Sequence, residues 1–316
     1  MKVFVTGGCG YIGSALVPAL LDQGHTVTVL DKMLFGNYLS SHPYLTVVKG
    51  DIRILPRAIY QQSFDAVVHL ACIVNDPSWE LDPFLGKSVN YDALLPLVSW
   101  AKDSGVGRFV YASSSSVYGT KPDGVEVTED LPLEPLTDYS KYKALGEDVV
   151  LQSGLSAMVL RPATVCGYSP RLRLDVVVNQ MTIDALVHRR ITVHGGGLQR
   201  RANLHIIDMV RAYLATLASD VTGMFNVGAE NLTILEIAEQ VQAQAGGELV
   251  ISPPTNDPRS YRLNSGRILR EVGYQPEHTV PDAIADVCAA FHKGRIPDPL
   301  AAHHYNLKQM QLCHIS

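Results

Sequence analysis

The stretch MKVFVTGGCGYIGSAL (residues 1–16) decides the predicted fold of this chain. A short apolar run, KVFV, leads into Gly7, Gly10 and Gly13, and the residues that follow have a helical pattern. Glycines between a strand and a helix permit a tight turn, a close approach of main chain to a pyrophosphate, and close helix packing. The unpaired N–H groups at the helix N-terminus would face the same phosphates. An ordinary glycine-rich turn is the alternative interpretation.

A second strand-like segment favours a dinucleotide site. TVTVLD (residues 26–31) ends in Asp31, about twenty residues after the glycines, where a carboxylate can accept hydrogen bonds from an adenosine ribose. The two signals together predict dinucleotide binding, and because a carboxylate repels a 2′-phosphate they favour NAD over NADP. Asp51, which follows LTVVKG, is placed to meet the adenine edge, although a surface turn would explain it nearly as well.

The composition excludes several classes of function. The chain has 316 residues, of which 47% are hydrophobic, and a formal net charge of −5 without a basic run, so it is not expected to bind nucleic acid through its phosphates. No apolar segment approaches the ~20 residues that span a bilayer, and the first apolar run is too short for a signal peptide. We therefore expect a soluble, cytoplasmic protein with no membrane partner. Five cysteines are scattered without CxxC spacing, so neither disulfides nor a metal site is expected.

Strand-like runs alternate with helix-length segments as far as about Pro162. This alternation predicts an α/β fold, a Rossmann-type doubly wound parallel sheet with helices on both faces. The pattern then loosens into polar or Gly/Pro-rich loops such as GYSPRLRLD, which predicts a smaller, mixed α/β region built around a site. We expect an NAD-binding domain over residues 1–164, to which residues 205–228 return, and a substrate-binding region over residues 165–204 and 229–316.

A tyrosine and a lysine one helical turn apart form a candidate proton-transfer pair. Tyr139 and Lys143 lie in DYSKYKALGED, and their spacing puts both side chains on one helix face. A nearby ammonium favours the phenolate and lowers the tyrosine pKa towards the working pH, as a general base requires. The spacing alone is more typical of an exposed helix pair. However, the preceding RFVYASSSSVYG places four serines at the carboxyl end of a strand, where parallel sheets bind ligands, although such serines often only cap turns.

These motifs together resemble those of the extended short-chain dehydrogenase/reductases, in particular the NAD-dependent nucleotide-sugar epimerases and dehydratases related to UDP-glucose 4-epimerase. The resemblance extends over nearly the whole chain. The motifs are specific for the superfamily and much less specific for the substrate. They are TGGCGYIG, Asp31, Gly50–Asp51, HLAC, Asn90, SSSSVYG, Tyr139 with Lys143, LRPATVCG and RRANLHIID.

The resemblance implies roles for individual residues. Ser114 matches the catalytic hydroxyl, Tyr139 the base, and Lys143 the residue that binds the nicotinamide ribose and tunes the tyrosine. A homodimer formed through the helices around residues 91–104 and 139–150 is also implied. The implied cofactor-binding residues are Gly7, Gly10, Tyr11, Ile12, Gly13, Asp31, Asp51, Ile52, Leu70, Ala71, Cys72, Asn90, Tyr139 and Lys143. The implied substrate-binding residues are Ser115, Ser116, Cys166, Asn179, Arg201 and Arg259.

The two arginines of that set lie in predicted loops, where a guanidinium is well suited to a diphosphate. The context RRANLHIID resembles the family motif that places Arg201 on the substrate's pyrophosphate, and DPRSYR resembles a later arginine motif that contains Arg259. As isolated arginines, both would more commonly be exposed surface residues. The prediction for them therefore depends on the resemblance.

Departures from the family pattern bear on the reaction. Ser115 and Ser116 stand where 4,6-dehydratases of this family usually have Asp-Glu, and two hydroxyls do not easily replace that acid–base pair. Thr164 and Cys166 stand where Asn and Tyr are usual, Ala202 stands where Asp is usual, and Cys166 is better explained by packing. The resemblance implies epimerisation of a nucleotide-diphosphate sugar at C4 through a transient 4-keto intermediate. The alternatives are a dehydratase, a 4-ketoreductase, or a non-catalytic NAD- or nucleotide-sensing protein.

Overall fold

The computed structural model describes residues 1–122, 124–254, 260 and 262–313. Its strands, numbered from the N-terminus, are β1 (Lys2–Thr6), β2 (Thr26–Asp31), β3 (Leu45–Lys49), β4 (Ala66–His69), β5 (Arg108–Ala112), β6 (Glu126–Val127), β7 (Ala157–Pro162), β8 (Thr164–Cys166), β9 (Arg190–Gly195), β10 (Arg200–His205), β11 (Gly223–Val227), β12 (Glu230–Thr233), β13 (Glu248–Pro254) and β14 (Arg262–Leu263).

The helices are α1 (Gly13–Asp22), α2 (Arg57–Tyr60), α3 (Asp76–Glu80), α4 (Pro83–Lys87), α5 (Leu94–Asp103), α6 (Asp138–Leu151), α7 (Val177–His188), α8 (Ile206–Leu217), α9 (Ile234–Ala245), α10 (Gly266–Val272), α11 (Val280–His292) and α12 (Asn306–Cys313). Short 3₁₀ turns cover Ser115–Tyr118 and Ala302–His304, and a π-helical turn covers Ser88–Asp92.

The main sheet has seven parallel strands in the order β11-β7-β5-β4-β1-β2-β3. Both faces of the sheet are covered, which is why its central strands are apolar throughout rather than alternating. Within β1, Val3 and Val5 enter a core that contains Leu16 of α1, whereas Phe4 enters a second core that contains Leu97 of α5. The predicted Rossmann-type doubly wound fold is therefore confirmed.

The strand order reverses direction at β1. From β1 the chain moves to β2 on one side, and it later returns to β4 on the other side of β1. The helices that leave these two neighbours diverge at this point, so a crevice opens above the carboxyl ends of the strands. This position brings the turn after β1 close to the loop after β4.

The later half of the chain adds smaller sheets around its own core. β10 pairs with β8 in parallel and with β12 antiparallel, and β13 pairs with β9. The third core contains Val178 of α7, Ile237 of α9 and Ile284 of α11. β11 pairs with β7 at the edge of the main sheet, within the segment 205–228. The boundary at residue 164 between the NAD-binding domain and the substrate-binding region stays a prediction.

The placement of Arg201 differs from the sequence-based expectation. It was expected in a loop, but it lies in β10, where it is in register with Leu232 of β12. The reason is the pattern of burial along RRANLH, because Ala202, Asn203 and Leu204 are buried between neighbouring strands. No helix in the described part of the chain is long and apolar enough to cross a membrane.

Candidate active site

One cavity of about 590 Å³ opens above the carboxyl ends of the main-sheet strands. Most of the residues predicted to act in the site lie on its wall, although they come from separate segments of the sequence. These are Gly7, Gly10, Tyr11, Ile12, Gly13, Asp31, Asp51, Ile52, Leu70, Ala71, Cys72, Ser114, Ser115, Ser116, Tyr139, Lys143 and Arg201.

The glycine turn has no room for side chains. Gly7 has a φ of 74°, and a Cβ atom there would lie 2.6 Å from the Ala71 main-chain nitrogen. A Cβ atom on Gly13, the first residue of α1, would lie 2.5 Å from Gly8 Cα. Bare main chain therefore forms the wall between β1 and α1, with the N-terminus of α1 beside it. This geometry fits the pyrophosphate of a dinucleotide.

Two carboxylates of the wall lie at the carboxyl ends of strands, Asp31 as the last residue of β2 and Asp51 two residues after β3. Asp31 Oδ2 accepts a hydrogen bond from Cys9 N at 2.9 Å, and Asp31 Oδ1 accepts one from Met33 N at 2.6 Å. Burial raises the pKa of Asp31, and these two hydrogen bonds act against the rise. Asp51 pairs with Arg53 and Lys32, which hold its pKa well below the usual value. Asp51 is thus a fixed anion on the cavity wall.

Ser114, which follows β5, and Tyr139, which lies in α6, interact with each other on the same cavity wall. Ser114 Oγ accepts hydrogen bonds from Ser116 N at 3.2 Å and Ser116 Oγ at 2.9 Å, and it also forms a hydrogen bond with the Tyr139 phenol. Because both contacts with Ser116 use Ser114 as the acceptor, the Ser114 hydroxyl proton is left for the phenol oxygen. Such a donor favours the phenolate.

Helix α6 positions Tyr139 and Lys143. Thr137 and Ser140 form a reciprocal capping box that begins the helix, and Tyr139 lies in its first turn, where the helix dipole favours a negative charge. Lys143 is buried one turn later, and its Nζ donates a hydrogen bond to Ala112 O at 2.7 Å. An ammonium group has three donors, so two remain for a ligand.

The pKa of Tyr139 differs from the sequence-based expectation. Burial raises it well above its ordinary value, whereas Arg173 and the hydrogen bond from Ser114 lower it. The expectation that Lys143 brings this pKa down to the working range is therefore wrong for the protein alone. The reason is that removing water from a buried phenolate costs more free energy than the nearby positive charges return.

Three predicted site residues lie behind the cavity wall. Asn90 is buried and bonds both main-chain groups of Ile73, which supports the loop after β4. Asn179 is buried and bonds the main chain of Gly167. Cys166 points into the third core, where burial raises its pKa to about 12. Neither Asn179 nor Cys166 is therefore on the wall that a substrate would touch.

Arg259, the remaining predicted substrate-binding residue, lies outside the described residues. Its role stays a prediction.

The sequence did not predict a polar cluster on the cavity wall. Arg173 Nε donates to Asp175 Oδ1 at 2.6 Å, and Asp175 Oδ2 accepts from Asn75 Nδ2 at 3.3 Å and from Asn306 N at 2.9 Å. Arg171, also on the wall, donates from Nη2 to Asn306 Oδ1 at 2.6 Å. In the sequence, only the alternation RLRLD marks this cluster, and that pattern predicts a polar loop.

A buried ion pair beneath the wall was also missed. Arg161 of β7 donates from Nε to Glu147 Oε1 at 2.9 Å and from Nη1 to the Tyr118 hydroxyl at 2.7 Å. Ser113 donates to the same Glu147, and both members of the ion pair are 2% exposed. Because Glu147 lies one turn after Lys143 on α6, this network fixes the helix that carries Tyr139 and Lys143.

A glycine turn, a strand-end carboxylate and a Ser–Tyr–Lys set in one cavity define a dehydrogenase/reductase type of site. A model of the NAD dependent epimerase/dehydratase family matches residues 3–228 of this chain. The chain therefore belongs to the NAD-dependent epimerase/dehydratase family.

Individual relatives cover nearly the whole chain. The UDP-glucose 4-epimerase of Corynebacterium glutamicum is 28% identical, over 92% of this chain and 95% of its own length. The dTDP-glucose 4,6-dehydratase of Streptomyces griseus is 30% identical, over 93% of this chain and 94% of its own length. A solved structure of MoeE5 in complex with UDP-glucuronic acid and NAD has a TM-score of 0.81 and 27% identity, covering 93% of this chain and 100% of MoeE5.

Family membership fixes the cofactor and the broad class of enzyme. The family is NAD-dependent, and similar proteins are nucleotide-sugar epimerases, dehydratases and decarboxylases. This chain is accordingly an NAD-dependent enzyme of that family. The relatives do not separate the three reactions, so the choice among them depends on the residues of this cavity.

Proposed function

We propose that this enzyme epimerises a nucleotide-diphosphate sugar at C4. The observation that carries the proposal is the convergence of Ser114, Tyr139 and Lys143 on one cavity. The two residues that follow Ser114 on the cavity wall, Ser115 and Ser116, also have hydroxyl side chains. This set can move a proton on and off an alcohol oxygen, and it offers no acid–base pair for elimination of water.

Tyr139 is the group that exchanges a proton with the sugar hydroxyl. Ser114 donates a hydrogen bond to the phenol oxygen, and it can bond the sugar oxygen in the same way when a substrate lies against both. The first turn of α6 and the buried Lys143 supply positive potential that favours the phenolate. Bound NAD would supply a hydride acceptor, and then a hydride donor, at C4.

The cofactor would be held by residues already described. The bare glycine turn would face its pyrophosphate, Asp31 its adenosine ribose, and Lys143 its nicotinamide ribose. Arg201 would pair with the diphosphate of the substrate, because it lies on the cavity wall and a guanidinium matches phosphate oxygens.

The carboxylates of the cavity support epimerisation over dehydration. Among the described wall residues they are Asp31, Asp51, Asp76 and Asp175. Asp51 and Asp175 are each paired with an arginine, and Asp31 is bonded by main chain beside the glycine turn. Only Asp76 of these four has a carboxylate with neither a hydrogen bond nor an ion pair in the described part of the chain, and elimination across C5 and C6 needs both a base and an acid.

A panel of nucleotide sugars tests the proposal. Purified NAD-loaded enzyme is incubated with UDP-, dTDP-, GDP- and CDP-sugars, and products are analysed by mass spectrometry and NMR. We expect one nucleotide sugar to give its C4 epimer at unchanged mass. Loss of water would identify a dehydratase, loss of carbon dioxide a decarboxylase, and gain of two hydrogens with added NADH a ketoreductase.

A further inference from the structure

We propose that residues 302–313 form a strap that closes over NAD in the crevice, and that opening of this strap limits the rate at which the cofactor is released. The strap consists of the 3₁₀ turn Ala302–His304, Tyr305, and helix α12. The inference concerns the cofactor alone, so it does not depend on which reaction the enzyme catalyses.

The beginning of the strap is fixed to the loop after β8. His304 O accepts a hydrogen bond from Leu174 N at 2.9 Å, and Asn306 N donates one to Asp175 Oδ2 at 2.9 Å. His304 and Asn306 are both buried, and Asn306 lies on the cavity wall. This part of the strap is therefore a fixed base from which α12 extends.

The later part of the strap is fastened on both sides of β1. Gln309 Nε2 donates a hydrogen bond to Leu34 O, in the loop after β2, at 2.8 Å. Met310 is buried against Ile73, in the loop after β4, and against Leu85 of α4. Because β2 and β4 are the two neighbours of β1, adjacent residues of α12 contact both sides of the crevice. The strap therefore spans the crevice between these two loops.

The spanned part of the crevice is the part that fits NAD. Leu34 and Ile73, which the strap joins, both lie on the cavity wall. The glycine turn after β1, between them, fits the pyrophosphate, and Asp31 at the end of β2 would meet the adenosine ribose. A dinucleotide that extends from Asp31 to Lys143 therefore passes between the two loops that the strap joins, and it leaves on that side only after the strap has opened.

A buried arginine connects the strap to the glycine turn. Arg171 Nη2 donates to Asn306 Oδ1 at 2.6 Å, and Arg171 N donates to Ser14 Oγ, in the first turn of α1, at 3.1 Å. Arg171 Nε has no hydrogen-bond partner in the described part of the chain, and burial together with Arg173 lowers the pKa of Arg171 to about 10. A pyrophosphate at the N-terminus of α1 would supply negative charge beside this buried guanidinium, so bound NAD should favour the closed strap.

The fastening of α12 is weak enough to open without unfolding of the core. The helix has 8 residues, and helices of this length are marginal by themselves. In the described part of the chain, the Gln309 hydrogen bond and the buried Met310 side chain join it to the two loops. Segments with few buried contacts open locally at a lower free energy than the core strands. We therefore expect the strap to open while the main sheet stays folded.

The test measures NAD release from the NAD-loaded enzyme. Enzyme carrying radiolabelled NAD is chased with excess unlabelled NAD, and hydrogen exchange of the α12 amides is followed by mass spectrometry in the same proteins. Gln309→Ala removes the bond to the loop after β2, and Met310→Ala removes the packing on the loop after β4. The controls are Gln311→Ala, which is exposed on α12, and Met310→Leu, which keeps the apolar volume.

Each variant has a distinct expected effect. Gln309→Ala should speed NAD release by about 2- to 12-fold, the factor for one net hydrogen bond. Met310→Ala should speed it by at least about tenfold, because the loss of a buried side chain leaves a cavity. In both variants, hydrogen exchange of α12 should accelerate by about the same factor as NAD release, since one opening governs both. Gln311→Ala should match the wild type within about twofold, and Met310→Leu should lie between the wild type and Met310→Ala.

Unchanged NAD release in Gln309→Ala and Met310→Ala would overturn the proposal, even if hydrogen exchange of α12 accelerates. The strap would then be a stabilising segment that NAD does not displace. Equal effects of Gln309→Ala and Gln311→Ala would overturn it as well. If Met310→Ala fails to fold, as circular dichroism would show, the comparison of Gln309→Ala with Gln311→Ala decides. None of these measurements requires turnover, so failure of the proposed epimerase reaction would leave the strap untouched.

Discussion

Replacing Gly7 by alanine should destabilise this protein more than the same replacement of Gly24, a matched glycine. Gly7 and Gly24 have nearly the same φ, 74° and 78°. An alanine in this left-handed region costs about 1–2 kcal/mol at either position. A Cβ atom on Gly24 meets nothing within 4 Å, whereas one on Gly7 would lie 2.6, 2.8 and 2.9 Å from main-chain atoms of Leu70 and Ala71. Those atoms belong to the loop after β4 and cannot rotate away as a side chain would.

The additional cost at Gly7 follows from that overlap. Overpacking of this kind typically costs a further ~1–3 kcal/mol. We expect Gly24→Ala to lower the free energy of unfolding by about 1–2 kcal/mol, and Gly7→Ala by about 2–5 kcal/mol, both measured by urea titration. Because Gly7 and Ala71 line the cavity, only Gly7→Ala should also weaken NAD binding, by at least about tenfold, which is about 1.4 kcal/mol. Equal stability and equal NAD affinity in the two variants would refute this reasoning.

Three further predictions concern other contacts. Glu147→Ala leaves a buried arginine unpaired, so it should lower the free energy of unfolding by about 3–5 kcal/mol in chemical denaturation. Asn306→Ala removes the acceptor of the only side-chain hydrogen bond of buried Arg171 in the described chain, so it should cost about 1.5–3 kcal/mol, against less than about 0.5 kcal/mol for the exposed control Gln311→Ala on the same helix. Leu145 is 45% exposed on α6, and Leu145→Glu should convert the expected homodimer to monomers in light scattering; an unchanged mass would contradict that prediction.

The parts of this fold that depend on local pattern could be predicted from the sequence. The run KVFV, the glycines after it and the acid that ends TVTVLD each have a local physical reason, namely burial on two faces, the lack of a Cβ atom, and a strand end. The seven-stranded sheet and the cavity at its carboxyl edge follow from repeating that unit. Helix periodicity likewise put Tyr139 and Lys143 on one face of α6.

The parts that depend on distant residues could not be predicted. Asp175 receives hydrogen bonds from residues 100 and 131 positions away, Asn75 and Asn306, so nothing within RLRLD indicates a held guanidinium. Arg201 lies in a strand because β8 and β12 pair with its segment, whose own letters suggest a loop. The pKa of Tyr139 depends on how deeply the folded chain buries the phenol, which spacing alone does not reveal.

A deuterium-transfer experiment tests the central claim most directly. A nucleotide sugar that the enzyme converts is prepared with deuterium at C4 and incubated in ordinary water with wild type and with Tyr139→Phe. We predict that the wild-type epimer keeps its deuterium, because the C4 hydrogen leaves and returns as hydride. Tyr139→Phe should retain bound NAD and form the epimer about 10²–10⁴-fold more slowly, since it lacks the proton-transfer group. Loss of the deuterium to water, or near-normal turnover by Tyr139→Phe, would contradict the account.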